Sequence, residues 1–501
     1  MKVDIYLGKF PATTQGASHV PVPYRRRHPL NPGRSVPGTN PHSFAAWTRT
    51  FVAYVDEQYL RPEIPSWPQP IQDLNDLIES TPELRMLASA MFDEVPCKQP
   101  YLRDPAGHRQ VRDYQHMLHL FSIIMTKIAP SWSMSEHGLG IVGFPFNAVL
   151  DWPMATRSGY AFFLKAEVNA KLKVILDTWR DNVLKTNKSQ YVLTTDPDGW
   201  LSSKVLVTIE GETNVDGQDP LPFHKIFECD PIGDPVHWGF QCWDDFFVRK
   251  FRDMDKIRPV AFPDDPRWIV NACESRPYAL QANVKEYDTF WLKGQPYSVV
   301  EMLNHHPDAG HFIGGTVFQA FLSATAYHRW SSPVAGKVIH SQVINGTYFS
   351  EPTFDGFANP EGPDQAGPDR AQGYISHVAT RAMFFIDTEG PAGVVCVLFV
   401  GMADVSTCEI LEKFRQHLPQ RVAKGEELGM FHHGGSTYCL LFPPDVNLAW
   451  VTAASPGVSE KNIPIRSGLA YACPAASTRR ARPARKTLEE LLGHDRLDML
   501  V

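Results

Sequence analysis

From about Ser43 onward, apolar positions fall three or four apart in FAAWTRTFVAYVDEQYL, IQDLNDLI and ELRMLASAMF, the period of an amphipathic helix. Leu164, Val168, Leu172, Ile175, Trp179 and Val183 keep that spacing without interruption, which predicts one long helix. Past about residue 205 the pattern shortens. RWIVNACE, PYSVVEML, AGKVIHSQVI, AMFFIDT, AGVVCVLFVGMA and TYCLLF are brief β-prone runs between Gly and Pro, and they predict strands. Residues 1–42 carry PATTQ, PVPYRRRHPLNPGR and VPGTNPH, where Pro, Gly and Arg break any period, so they form an arm. At the other end, STRRARPARK is a basic linker and TLEELLGHDRLDML a short terminal helix. The pattern therefore describes an α+β chain: an arm at 1–42, a helical domain at 43–205, a β-rich domain at 220–469 and a tail at 470–501.

Composition narrows the class. A chain of 501 residues exceeds what one hydrophobic core usually serves. Its 42 prolines, about 8% against a usual 5%, favour loops and extended arms over a bundle of long helices. The net charge of −7 removes any global attraction to nucleic acid. The longest strongly apolar stretch, GVVCVLFVGMA at Gly393–Ala403, falls short of the roughly 18 to 20 residues of a membrane helix, so no span is expected. MKVDIYLGKF lacks the apolar block of a signal peptide, and a cytoplasmic location is the expectation. Eight scattered cysteines without a CxxC pair read as reduced thiols.

Most spellings that suggest chemistry fail on context. Gly138, Gly140 and Gly143 in GLGIVGFPF satisfy GxGxxG, but no buried strand precedes them and Pro145 would obstruct the following helix. His305, His306 and His311 in NHHPDAGH form a polar loop, because adjacent His rings diverge, and no metal is expected. No GxSxG elbow occurs. GMFHHGGSTYCLLF is different. Gly434 and Gly435 place two conformationally free residues directly before Ser436 and a β-prone run. This is a hairpin turn, or it is a strained peptide whose Ser436 hydroxyl attacks the Gly435 carbonyl. The resulting ester, after β-elimination and hydrolysis, leaves a pyruvoyl group at a new N-terminus. Such a site needs a base for the hydroxyl and donors for the oxyanion.

GGST resembles the LGST self-cleavage motif of the phosphatidylserine decarboxylase family, whose members are pyruvoyl-dependent. DDFFVRKF with Arg258-Pro259, NACES, KGQPYSVVEML, AYHRWSSPVAGKV and VAKGEELGMFHHGGST agree with that family in the same order. ATRSGYAFFLKAEVNAKLKVILDTW, TAYHRW, GTYF and VGMADVSTCEI look like its soluble fungal branch, which carries a helical N-terminal domain. The resemblance implies that Ser436 becomes the covalent pyruvoyl and Gly435 the new carboxy end. It implies that fragments 1–435 and 436–501 stay associated, and that the enzyme removes the α-carboxylate of a small-molecule amino-acid substrate, aromatic and tryptophan-like, through a Schiff base. His328 matches the first His of the family's HRxH motif, implied to assist decarboxylation, and Glu274 falls at its acidic ADG position. The second His, the family's cleavage base, is Ser331 here, and His432 or His433 is the substitute the sequence offers. Two other functions stay open. One is phosphatidylserine as substrate, with Arg25-Arg26-Arg27 and Arg479–Lys486 touching an anionic bilayer peripherally. The other is an uncleaved homologue that binds without turnover.

Overall fold

The structure is a computed structural model that describes residues 44–59, 66–95, 111–132, 134–135, 138–139, 144–287, 297–350, 352, 371–402, 404–405, 407–458 and 461–473. The arm, Arg25–Arg27, Cys97, Gly140, Gly143, Arg479–Lys486 and the terminal TLEELLGHDRLDML lie outside the described residues.

Helices come first in the chain: α1 (Phe44–Tyr59), α2 (Gln69–Ser80), α3 (Pro82–Asp93), α4 (Tyr114–Lys127), α5 (Pro145–Met154), α6 (Arg157–Phe163), α7 (Ala166–Trp179) and α8 (Ser203–Thr213). Ile71, Leu74 and Ile78 are the buried face of α2, at the spacing the sequence shows. The Asp113 side chain caps α4 by accepting from His116 N–H at 2.7 Å. The single long helix expected through Leu164 is in fact two. Leu164 ends α6, is exposed, and is followed by the extended Lys165. Asn169 Nδ2 donates to the Phe163 and Lys165 carbonyls at 2.8 Å each, so the break leaves these acceptors satisfied. Val168, Leu172, Ile175, Trp179 and Val183 are buried as expected. Pro145 does not obstruct a helix: it is the first residue of α5, where its missing N–H is no loss.

After two short helices, α9 (Phe223–Ile226) and α10 (Trp243–Phe247), the chain is mainly strands. β1 (Met134–Ser135) and β2 (Gly138–Leu139) are a two-residue pair within the helical part. The others are β3 (Trp268–Val270), β4 (Arg276–Ala282), β5 (Thr316–Leu322), β6 (Arg329–Ser331), β7 (Gly336–Ile344), β8 (Arg381–Asp387), β9 (Val394–Gly401), β10 (Thr407–Ile410), β11 (Gln420–Val422), β12 (Glu427–His432), β13 (Ser436–Phe442), β14 (Asn447–Trp450) and β15 (Gly468–Cys473). Their sheets run β11-β7-β8-β9-β13-β5-β4, β10-β12-β6 and β14-β15-β3, all antiparallel.

The large sheet is covered on both faces. Val397, Phe399, Tyr438 and Leu440 join a core shared with the helices. Leu398, Val400, Cys439 and Leu441 point the other way, into a core with Val299, Met302, Phe312 and Ile375. That double burial is why β9 reads as an unbroken apolar run, not as an alternating one. PYSVVEML departs from expectation: Val299–Met302 is a helical turn, with both end residues buried in that second core. Burial of one face three residues apart outweighs the β preference of two adjacent valines.

In NHHPDAGH, Asn304 and His305 take left-handed backbone conformations before a 3₁₀ turn at Pro307–Phe312. Among the described residues no group of three or more His, Cys, Asp or Glu could hold a metal ion, and no helix is long and apolar enough to cross a membrane. The seven described cysteines are free thiols.

Candidate active site

The GGST segment is not a hairpin turn. β12 belongs to the β10-β12-β6 sheet, whereas β13 is an inner strand of the seven-stranded sheet between β9 and β5. Residues 433–435 therefore carry the chain around a corner between two sheets. Gly434 adopts φ 135°, a conformation closed to residues with a Cβ. Gly435 is not under the same constraint: a Cβ there would meet Met402 Cβ at 3.5 Å and the Phe144 ring at 3.9 Å, ordinary contacts. In a Ser436→Ala background, which removes the hydroxyl beside the bond, Gly434→Ala is expected to cost about 1–3 kcal/mol and Gly435→Ala less than about 1. Thermal melts of the two variants check the order.

Ser436 opens β13, paired with Gly401 on one side and Leu322 on the other. It is fully buried, and its Oγ has no hydrogen-bond partner. The carbonyl of Gly435, the acyl side of the bond, accepts from Met402 N–H at 2.8 Å. A buried hydroxyl without a bond thus lies beside a carbonyl whose oxygen already holds a donor. An attack by the one on the other would develop charge where that donor points.

Three histidines approach this corner, and the structure sorts them. His432 is clamped between Asp244 and Glu409, with ring nitrogens 2.8 Å from a carboxylate oxygen of each. Burial alone would lower its pKa, but the two carboxylates outweigh it and hold the ring above the usual histidine value. Glu409 is held down to about 2, first by its hydrogen bond to His432. Both His432 nitrogens donate, so the ring has no lone pair for a hydroxyl proton. His433 packs against Phe144, Trp179 and Phe247, and its Nδ1 accepts from Trp243 Nε1–H at 3.0 Å. In the neutral ring the proton therefore sits on Nε2, and the one lone pair is engaged. Neither of the substitutes offered by the sequence is arranged as a base.

His328 is arranged otherwise. It is fully buried, stacked on Phe247 at 4.0 Å, and neither ring nitrogen has a hydrogen-bond partner. Burial first, then the nearby Arg249 cation, pushes its pKa well below the usual value and keeps the ring neutral, against a weaker opposite pull from the Ala326 carbonyl, which lies near the ring without closing a hydrogen bond of regular geometry. Arg249 is itself buried, bonded to the carbonyls of Phe246, Thr325 and Ala326. The backbone brings His328 to the corner. Its carbonyl accepts from Phe431 N–H at 3.0 Å, next to the end of β12, and it follows Leu322, the residue paired with Ser436.

Ser331 and Glu274 lie elsewhere in the local architecture. Ser331 pairs with Glu427, at the end of β12 away from the GGST corner. It lines a polar cavity of about 290 Å³ with Lys250, Arg252, Arg329 and Arg466. Glu274 forms a buried bidentate pair with Arg258, at 2.5 and 3.2 Å, and also accepts from Ile465 N–H at 2.9 Å. Met402, Phe144 and Trp243 were not singled out as site residues by sequence. Met402 acts through a backbone N–H, which no residue type advertises, although VGMADVSTCEI around it carries part of the family resemblance.

Family profiles described as phosphatidylserine decarboxylase match residues 68–209 and 243–462. The chain is similar to a decarboxylase, iboD, of Amanita muscaria, with 38% identity over 67% of this chain and 94% of that one. It is similar to the L-tryptophan decarboxylase of Psilocybe cubensis, with 32% identity over 74% of this chain and 80% of the other. A phosphatidylserine decarboxylase proenzyme of Schizosaccharomyces pombe shares 28% identity over 45% of this chain and 21% of its own length.

Proposed function

The chain belongs to the phosphatidylserine decarboxylase family and is a carboxy-lyase, and on that premise we propose that it is a pyruvoyl-dependent decarboxylase that breaks its own Gly435–Ser436 bond. One observation carries the proposal: the Gly435 carbonyl oxygen already holds the Met402 N–H at 2.8 Å, while Ser436 Oγ is buried with no bond of its own. An Oγ without a partner can be consumed without breaking a hydrogen bond, so the site fits a pyruvoyl made from Ser436.

In the cleavage, Oγ bonds to the Gly435 carbonyl carbon as the C–N bond breaks, and its proton passes through a base to the freed amine. Loss of the Ser436 Cα proton then expels the Gly435 carboxylate. Water displaces the nitrogen as ammonia and leaves a keto group at residue 436. His328, neutral and with both nitrogens unbonded, is the proposed proton carrier for these steps and for the substrate's α-carbon. Phe247 stacked on it, with Phe144 beside Gly435, excludes water from the corner. The pyruvoyl, once made, supplies an electron-withdrawing carbonyl for the pair left by a departing carboxylate. β13 pairs along both edges, so the 436–501 fragment stays folded into the larger one.

The proposed substrate is a free amino acid with an aromatic side chain. Two relatives bear the name L-tryptophan decarboxylase, at 32% and 35% identity. Intact mass on purified protein is the test of cleavage: two fragments divided between 435 and 436 are expected, the smaller one reducible by borohydride. A lone 501-residue mass after long incubation would sink the proposal. Tryptophan, tyrosine, phenylalanine and phosphatidylserine vesicles are then compared for carbon dioxide release. Release from the vesicles alone would transfer the activity to the phospholipid.

A further inference from the structure

Nothing in the cleavage chemistry asks for a helical segment, yet α5 is fastened to the cleavage corner at two points. The first is α5's own N-terminus. Phe146 N–H and Asn147 N–H donate to the two oxygens of Asp404, at 3.1 and 3.0 Å. Phe144, the residue before the helix, contributes no side-chain cap, so the cap comes from the β9–β10 connection instead. Asp404 is fully buried and sits in a left-handed conformation, φ 59°. The loop it anchors is short: Gly401 ends β9, Val405 N–H donates back to the Met402 carbonyl at 3.3 Å, and Met402 N–H holds the Gly435 carbonyl. The second point is the Phe144 ring, which borders Gly435 and stacks on His433 at 5.8 Å.

We propose that the helical segment is an intramolecular maturation factor, in which the N-terminus of α5 holds Asp404 so that Met402 N–H stays aimed at the scissile carbonyl. The inference rests on the self-cleavage proposed above. Asp404 touches neither reacting atom and is a positioning residue. The oxygen of Gly435 gains negative charge as Ser436 attacks, and a donor fixed beforehand lowers that barrier, whereas a loop free to drift does not. Loss of one such donor typically slows a reaction about 10²–10³-fold. Burial pushes the Asp404 carboxyl up to about 8 against the pull of the two amides. Asn in its place keeps one oxygen to accept from one amide, while its Nδ2 has no lone pair for the other.

Full-length variants are purified early and followed by intact mass. Asp404→Ala is expected to mature about 10²-fold more slowly than the wild type, and Asp404→Asn, which keeps one of the two acceptors at the same reach, at an intermediate rate about tenfold below the wild type. A helix cap with no link to the reaction would change thermal stability and leave both maturation rates at the wild-type value, which overturns the proposal. If Asp404→Ala does not fold, Asp404→Ser takes its place: its hydroxyl is too short to reach either amide from the same backbone, and it is expected at least threefold slower than Asp404→Asn. Equal rates for Ser and Asn would overturn the positioning role. A wild-type chain that never cleaves overturns the self-cleavage itself, and this proposal with it. A wild type that cleaves alongside an equally fast Asp404→Ala overturns the positioning role alone.

Discussion

Ser436→Ala is expected to leave one uncleaved polypeptide of 501 residues with no decarboxylase activity, however long it is incubated. The methyl group of alanine cannot attack the Gly435 carbonyl, so no ester forms and no keto group appears at residue 436. This loss does not come through misfolding. The Ser436 side chain is fully buried and its Oγ makes no hydrogen bond, so its removal strands no partner. Deleting a buried hydroxyl that had no bond is neutral or slightly stabilising, and the thermal midpoint should equal or exceed that of a wild-type chain measured before cleavage. Intact mass and carbon dioxide release measure the two halves of the prediction. Fragments, or turnover from the intact variant, would remove Ser436 from the centre of the chemistry.

The second large effect is expected at His328. Family resemblance divides the work between two histidines of HRxH, one for cleavage and one for decarboxylation, but Ser331 occupies the second position and pairs with Glu427 away from the corner. His432 is locked between two carboxylates and His433 has its Nδ1 engaged by Trp243. What remains is the buried, neutral, unbonded ring of His328. His328→Gln should therefore slow maturation and, in whatever fraction matures, lower kcat, each by about 10²–10⁴-fold. Ser331→Ala should alter neither by more than about twofold. If His328→Gln matures at the wild-type rate, the cleavage base is another group.

The same ring has a signature in stability. In the unfolded chain His328 takes a proton near pH 6.5, whereas burial and Arg249 keep it neutral in the fold to well below that. Its contribution is thus fully present above pH 6.5 and is lost as pH falls toward the folded value. His432 has the opposite sign: held above the usual value, it stabilises in acid and its contribution fades as pH rises through the folded pKa. In a Ser436→Ala background, His328→Gln should flatten the fall of the thermal midpoint below pH 6.5.

Some of this molecule was legible in the sequence because the cause was local. Ile71, Leu74 and Ile78 bury one stripe of α2, and Val168, Leu172, Ile175 and Trp179 do so on α7, as their spacing says. AGVVCVLFVGMA and TYCLLF became inner strands, because an unbroken apolar run suits a strand covered on both faces. Leu164 and PYSVVEML misled for a shared reason. A period says which residues share a face, but not where a side chain such as Asn169 satisfies the carbonyls of a break, nor which core will receive Val299 and Met302.

By itself the sequence determined the α-then-β order, the Gly434-Gly435-Ser436 spelling and the presence of a histidine at 328, since these follow from residue identity and spacing. Tertiary structure alone decided that the spelling turns a corner between sheets and is not a hairpin, and that two of three histidines already have other bonds. It also decided that a backbone amide of Met402 meets the Gly435 carbonyl and that Asp404, two residues on, is fastened to the start of α5. The physical reason is that whether a lone pair or an N–H is available depends on what occupies the space beside it. In this fold the neighbours of residue 435 come from residues as distant in the chain as Phe144.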